Sequence, residues 1–264
     1  MTEVTSASTM APGEGRRLRF DLALPTLFRP RQTFREIAAQ ARGVWLTPIV
    51  ILMLAALLRT LVAGSVKQVE IRAAMGGMEP PPDMMYYTPE QQAQFQEAMS
   101  ATSSPMFVYV FPSIIALLGV WVGWLVVSGL LHLVLTLFGG RNSTVSTTNI
   151  VAWARLPLAV RGLVQFVYML AAGRSIVAEG LAGFAPAGDG AFSVILTHLL
   201  GLIDLYLLWE VWLLVIGVQS GSSMTRGRAW ASALITLAAV LVARSLIGYV
   251  GSLLIDLTST QSFF

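Results

Sequence analysis

Apolar residues fall along this chain in five long blocks separated by shorter polar stretches, and the block lengths set the first expectation. The first block runs over 45–66, broken only by Arg59, and the second, 107–138, holds no formally charged side chain. The remaining three cover 150–172, 192–218 and 230–251. About 20 apolar helical residues cross the hydrocarbon core of a bilayer, so each block predicts one transmembrane helix. The second exceeds what a perpendicular crossing needs, which predicts a tilted helix or one extending beyond the bilayer. The pattern is that of an all-α, polytopic membrane bundle of five spans over 45–251, with 67–104 as its long loop and 252–264 as a short tail.

Composition agrees with that solvent. Hydrophobic residues make up 55% of the 264 and charged residues 12%, against about 25% charged in a typical soluble domain, and the mean hydropathy is +0.71. The absence of cysteine removes disulfides, thiolate metal ligands and cysteine nucleophiles. Five spans place the termini on opposite sides. One side holds the segment 1–44, the turn near Arg141 and the turn with Arg226 and Arg228, ten basic residues in all; the other holds three, Lys67, Arg72 and Arg174. That asymmetry predicts a cytoplasmic N-terminus and an extracytoplasmic C-terminus. The pI near 9.6 therefore reflects basic residues gathered beside a membrane surface, and nucleic acid is not expected as a partner. Arg16-Arg17 is not followed by the apolar core and small-residue site of a twin-arginine signal, so no leader is expected.

The polar stretches carry their own patterns. Thr33 and Glu36 form a T-x-x-E capping box, and Phe34, Ile37, Ala38, Ala41 and Trp45 recur at helical spacing, predicting an amphipathic helix over about 33–44. With Arg31, Arg35 and Arg42 it reads either as an interfacial helix on an anionic inner leaflet or as an ordinary positive-inside flank. In the long loop Thr88 and Pro89 predict the N-cap and first residue of a short helix. Met75, Met78, Met84 and Met85 have the softness to ligate Cu(I), but a flexible loop accounts for them, and no cofactor or metal is expected. Asn142-Ser143-Thr144 matches a glycosylation acceptor on the side where glycosylation does not occur.

Catalytic signals are few. His132 and His198 lie in different spans and read as helix-packing histidines; neither paired carboxylates nor a phosphate loop accompanies them, so an enzyme is not expected. Gly119 and Gly123 fit G-x-x-x-G, which lets helix backbones approach closely in lipid.

The chemistry concentrates in "WARLPLAVRGL" of the third block, where Arg155, Pro157 and Arg161 interrupt a span. The fourth block carries Asp204 and Glu210. Each pair is six residues apart, so antiparallel neighbouring spans set Arg161 level with Asp204 and Arg155 level with Glu210. At about 1.5 Å per residue Arg161 lies roughly 16 Å into its span and Arg155 roughly 8 Å. Six residues also turn a helix through about 600°, so two rungs on straight helices diverge by about 120°. The ladder either only neutralises buried charge or forms a polar pathway or switch. Pro157 is expected to bend the span between the arginines, and neighbouring helices to re-satisfy the carbonyl it frees. Arg59 and Arg244 lack an evident acid and are expected to snorkel to outer headgroups, Asp256 being a candidate partner there.

The stretches "LPTLFRPRQTFREIA", "FGGRNSTVSTTNIVAWARLPLAV" and "LLWEVWLLVIGVQSGSSMTRGRAWASALI" together resemble the bacterial branch of the Yip family, membrane proteins named for interaction with Ypt/Rab-type GTPases. The resemblance covers about Leu24 to Arg244 and rests on Pro30, Phe34 and Ile37, the Gly139-Gly140 turn, Leu156-Pro157, and Ile216-Gly217. It implies five spans with a cytoplasmic N-terminus. The D-L-Y-G-P motif of eukaryotic relatives becomes "DLALP" here, keeping Asp21, Leu22 and Pro25 without the Tyr-Gly, which argues against GTPase binding. Sixteen arginines against one lysine suit a GC-rich bacterial genome, and thus a bacterial cytoplasmic membrane. Some bacterial relatives accompany ABC-type export systems, so the resemblance implies a scaffold or accessory role beside transporter subunits. A small transporter or lipid-moving protein using the intramembrane charges is the alternative.

Overall fold

In hydrocarbon a backbone N–H or C=O must find its partner inside the protein, and an apolar block does so by folding as a helix. The computed structural model describes residues 18–77, 88–94, 104–140, 142–186, 188, 190–222 and 224–260. Its helices are α1 (Ala23–Phe28), led by a 3-10 turn at Phe20–Leu22, α2 (Pro30–Ala38), α3 (Leu46–Gly77), α4 (Phe111–Leu137), entered through a π turn at Met106–Val110, α5 (Thr144–Ala154), α6 (Leu156–Ala172), α7 (Ala191–Gly201), α8 (Leu205–Gly221) and α9 (Arg226–Thr260). No strand occurs among the described residues.

Four segments are long and apolar enough to cross a membrane: Leu46–Ala73, Met106–Leu137, Thr144–Ala172 and Arg226–Leu254. The block at 192–218 differs from the expected continuous span. It folds as α7 and α8, bent by 64°, and makes a fifth crossing only when the two are joined. The break follows from Asp204, whose extended backbone (φ −148°, ψ −178°) ends one helix while its side chain accepts from Leu207 N and starts the next. The third span is interrupted more gently. Arg155 (φ −84°, ψ −1°) separates α5 from α6, and Leu158 N turns back to Arg155 O at 2.9 Å. Pro157 sits in the first turn of α6, where its missing N–H is no loss.

The chain winds up and down, so α3 lies against both α4 and α6, and α8 against α5, α6 and α9. We call the end where α3 begins proximal. There Trp45 stacks at 4.8 Å on Trp124 and meets Trp121 edge-on at 5.8 Å, while the Trp124 and Trp153 indoles donate to Thr148 O and Val44 O. Polar tips on apolar rings let these side chains satisfy backbone carbonyls without water.

The helix expected over 33–44 is α2, shifted to Pro30–Ala38. Pro30 begins it three residues early, so Thr33 is not a cap: its hydroxyl donates to Arg29 O at 3.1 Å inside the helix. Glu36 instead accepts from Arg19 at 2.6 Å, and Asp21 and Glu36 together hold the Arg19 guanidinium above its ordinary pKa range. The chain leaves the helix because Asn149 captures it: Oδ1 accepts from Val44 N at 2.9 Å and Nδ2 donates to Arg42 O at 3.1 Å. The apolar face of α2 is buried in protein, Phe34 and Ile37 completely. A Cβ on Gly217 would stand 2.5 Å from Ile150 Cγ2 and 3.1 Å from Phe34 Cδ1, so α2, α5 and α8 meet at one point where only glycine fits. Three positions of the resemblance, Phe34, Ile37 and Gly217, are thus packing positions around the α2 face. Arg31, Arg35 and Arg42 stay exposed at this end.

Thr88 Oγ1 accepts from Gln91 N at 3.3 Å ahead of helical residues 89–94. Arg141, Met78, Met84 and Met85 lie outside the described residues, as do the side chains of Met75 and Asp256. Gly119 has open space around it, and Gly123 makes room for a guanidinium rather than a helix backbone, since its Cβ would stand 3.1 Å from Arg155 Nη1.

Candidate functional site

Charge inside the apolar part of the bundle forms one cluster. Arg161, on the face of α6 toward the α7–α8 break, holds Asp204 Oδ2 with Nε at 3.0 Å. Its Nη2 holds Glu179 Oε2 at 2.7 Å. Asp204 serves twice, because its other oxygen accepts from Leu207 N at 2.9 Å and satisfies the start of α8. Asp204 can take both roles only because it lies outside a helix; on a straight span the side chain would have pointed one way.

Glu179 arrives from the connection between α6 and α7, and its other oxygen pairs with Arg59 of α3. The connection folds back toward the break rather than running across the surface. Leu181 N donates to Leu200 O at 2.9 Å, a carbonyl that also accepts from Ile203 N at 3.0 Å, and to Ile203 O at 3.1 Å at the bend. Gly180 takes φ +55°, and a Cβ there would stand 2.6 Å from Ile203 O. Only glycine permits that approach, and the approach puts Glu179 on two arginines. Arg59 is therefore paired rather than snorkelling alone. The sequence reading missed Glu179. Its signal was an acid beside a glycine in a connection whose residues Ile176, Val177, Leu181 and Phe184 are too apolar for a simple water-facing turn.

Deeper toward the proximal end, Arg155 Nε stands 3.6 Å from Glu210 Oε1, an ion-pair distance rather than a good hydrogen bond. Glu210 is buried, and Arg155 Nε and Nη1 have no hydrogen-bond partner within the protein. Arg155, Arg161, Glu210 and Arg244 line a cavity of about 30 Å³ between them, large enough for a water molecule. Arg244 thus lies beside the acid of this cavity, not at a headgroup without one. A second cavity of about 600 Å³ opens on the other side of Arg161, lined also by Gln165, Tyr168, Glu179, Asp204 and Tyr206. Arg161 and Asp204 separate the larger space from the buried Arg155–Glu210 pair.

The two interruptions resolve the angular conflict of a straight ladder. Arg155 belongs to the junction of α5 and α6 and Asp204 to that of α7 and α8, so neither is held to a single helix's rotation. Chemically the arrangement can neutralise buried charge, hold two broken spans together, and offer a polar wall to whatever enters the larger cavity. The histidines lie apart from it: His132 Nδ1 is 3.5 Å from Thr147 Oγ1, and His198 packs on Gly248.

The family model described as the Yip1 domain matches residues 25–247, a range that contains every member of the cluster. No curated protein and no solved structure matches the chain.

Proposed function

Because the chain belongs to the Yip1 family and carries four or five helices able to cross a membrane, we propose that this multi-pass membrane protein is a non-catalytic scaffold or accessory factor for partner membrane proteins. The partner class is an ABC-type export system in a bacterial cytoplasmic membrane, with the N-terminus of this chain in the cytoplasm and the C-terminus outside. The excess of arginine at the proximal end supports that orientation. The observation that carries the reading is the mutual engagement of the intramembrane charges: Arg161 lies between Glu179 and Asp204, Arg59 on Glu179, and Asp204 also on a helix end. Groups so engaged hold a shape. The outward face of α4 supplies surface for partners, with Ile115, Leu118, Val122 and Leu125 exposed and Gly119 and Gly129 open to close approach. Nucleophile and base are not paired in the cluster, and "DLALP" lacks the residues that GTPase recognition would use.

Affinity purification from native membranes in mild detergent tests this reading. Recovery of an ABC-type permease in fixed ratio supports it; recovery of the chain alone after lipid-nanodisc extraction overturns it. The cavity of about 600 Å³ beside Arg161 and Asp204 favours a second reading, a small transporter or lipid-moving protein. Loss of flux in liposomes by Asp204→Asn, with folding intact, would select it.

A further inference from the structure

The apolar face of α2 is covered by α5 and α8, but the segment before it has a second apolar face that the protein leaves bare. Phe20, Leu24 and Phe28 recur every four residues and are 54%, 68% and 75% exposed. The opposite edge of the same segment is seated: Leu22, Thr26 and Pro30 are buried, and the Thr26 hydroxyl closes on Leu22 O at 2.6 Å. One face of this short helix therefore anchors it to the bundle while the other points away.

Its depth is fixed by a hydrogen bond. Arg19 N donates to Thr47 Oγ1 at 2.7 Å, and Thr47 lies in the first turn of α3, where the apolar span begins. The helix α1 also touches the α5–α6 region. The segment that bears the bare phenylalanines and leucine is thus tied at Arg19 to the level where the first apolar span begins. Arg29, Arg31 and Arg35 follow immediately and are exposed, placing positive charge where headgroup phosphates lie.

We propose that residues 20–28 form an interfacial helix that inserts Phe20, Leu24 and Phe28 into the acyl boundary of the proximal leaflet, with Arg29, Arg31 and Arg35 on anionic headgroups. Such a helix has the required layout, apolar on one face and basic at its flank. The insertion fixes the proximal end of the bundle at the leaflet surface.

The cysteine-free chain makes the test direct. Leu24→Cys, Phe28→Cys and Arg35→Cys, each labelled with bimane in proteoliposomes of zwitterionic and anionic phospholipid, are exposed to aqueous iodide and to lipids spin-labelled high in the acyl chain. The expected result is severalfold stronger lipid quenching than iodide quenching at 24 and 28, and the reverse at 35. Equal iodide quenching at all three overturns the proposal, as does protection of 24 and 28 from both quenchers, which would mean a protein cover such as a second copy. In purely zwitterionic vesicles iodide access at 28 should rise; no change overturns the role given to the arginines.

Discussion

Arg161 Nε lies 3.0 Å from Asp204 Oδ2, and the same carboxylate accepts from Leu207 N, so one side chain closes a salt bridge and a helix end together. The two roles separate by substitution. Asp204→Asn keeps a good cap but loses the charge, leaving part-buried Arg161 with Glu179 alone; loss of one charge-assisted hydrogen bond costs about 1.5–3 kcal/mol. Asp204→Ala loses the cap as well, worth about 1 kcal/mol further. Unfolding in mixed micelles by titration with SDS should rank wild type above Asp204→Asn above Asp204→Ala. Equal stability of the two variants would show that the cap contributes nothing.

Exchanging the charges should rescue only in part. Arg161→Asp alone sets a third carboxylate beside Glu179 and Asp204. Adding Asp204→Arg restores one pair, but Glu179 then faces a carboxylate, and arginine cannot cap α8. Gel filtration in detergent should show less monodisperse protein for the single variant than for the double. A double no better than the single would mean that Arg161 and Asp204 do not pair directly.

The limit of what the sequence discloses is visible in these residues. Apolar block length and basic flanks are properties of the chain in one dimension, and so is the six-residue spacing shared by Arg155/Arg161 and Asp204/Glu210. Glu179 is different. It stands 18 residues from Arg161 and 120 from Arg59, and the contact exists only because the connection turns back onto backbone carbonyls at a helix break. The break itself was hidden because an acid inside an apolar block looks the same whether it interrupts a helix or rides on one. The amphipathic pattern of α2 was equally ambiguous. A stripe of Phe34 and Ile37 beside arginines suits a lipid surface or a protein groove, and the glycine that makes the groove is 183 residues beyond Phe34.

Gly180 is the hinge of the Glu179 contact. At φ +55° an alanine costs about 1 kcal/mol or more in conformation alone, and its Cβ would meet the backbone oxygen of Ile203 at 2.6 Å, which a rotamer change cannot relieve. Gly180→Ala should lower stability by about 2 kcal/mol or more, and open the 173–190 connection to protease added on that side of oriented vesicles. Gly183→Ala, in open space three residues away, serves as the control and should do neither. Unchanged protection in Gly180→Ala would mean that the connection does not need the close approach.

The two glycines Gly217 and Gly119 should respond oppositely to the same change. At Gly217 an added methyl would sit 2.5 Å from Ile150 Cγ2 and 3.1 Å from Phe34 Cδ1, so α2, α5 and α8 must separate, an overpacking cost of about 1–3 kcal/mol. At Gly119 nothing stands within 4 Å, and replacing glycine by alanine in a helix gains about 0.5–1 kcal/mol. SDS unfolding should therefore show Gly217→Ala destabilised and Gly119→Ala neutral or better. Ile150→Ala removes the clashing atoms at the expense of a cavity, and the methyl at 217 partly fills it. The double variant should then lose at least about 1 kcal/mol less than the two single losses combined. Strict additivity would mean that Ile150 and Gly217 do not touch in the folded membrane protein, and would separate the α2 groove from the glycine on which its packing depends.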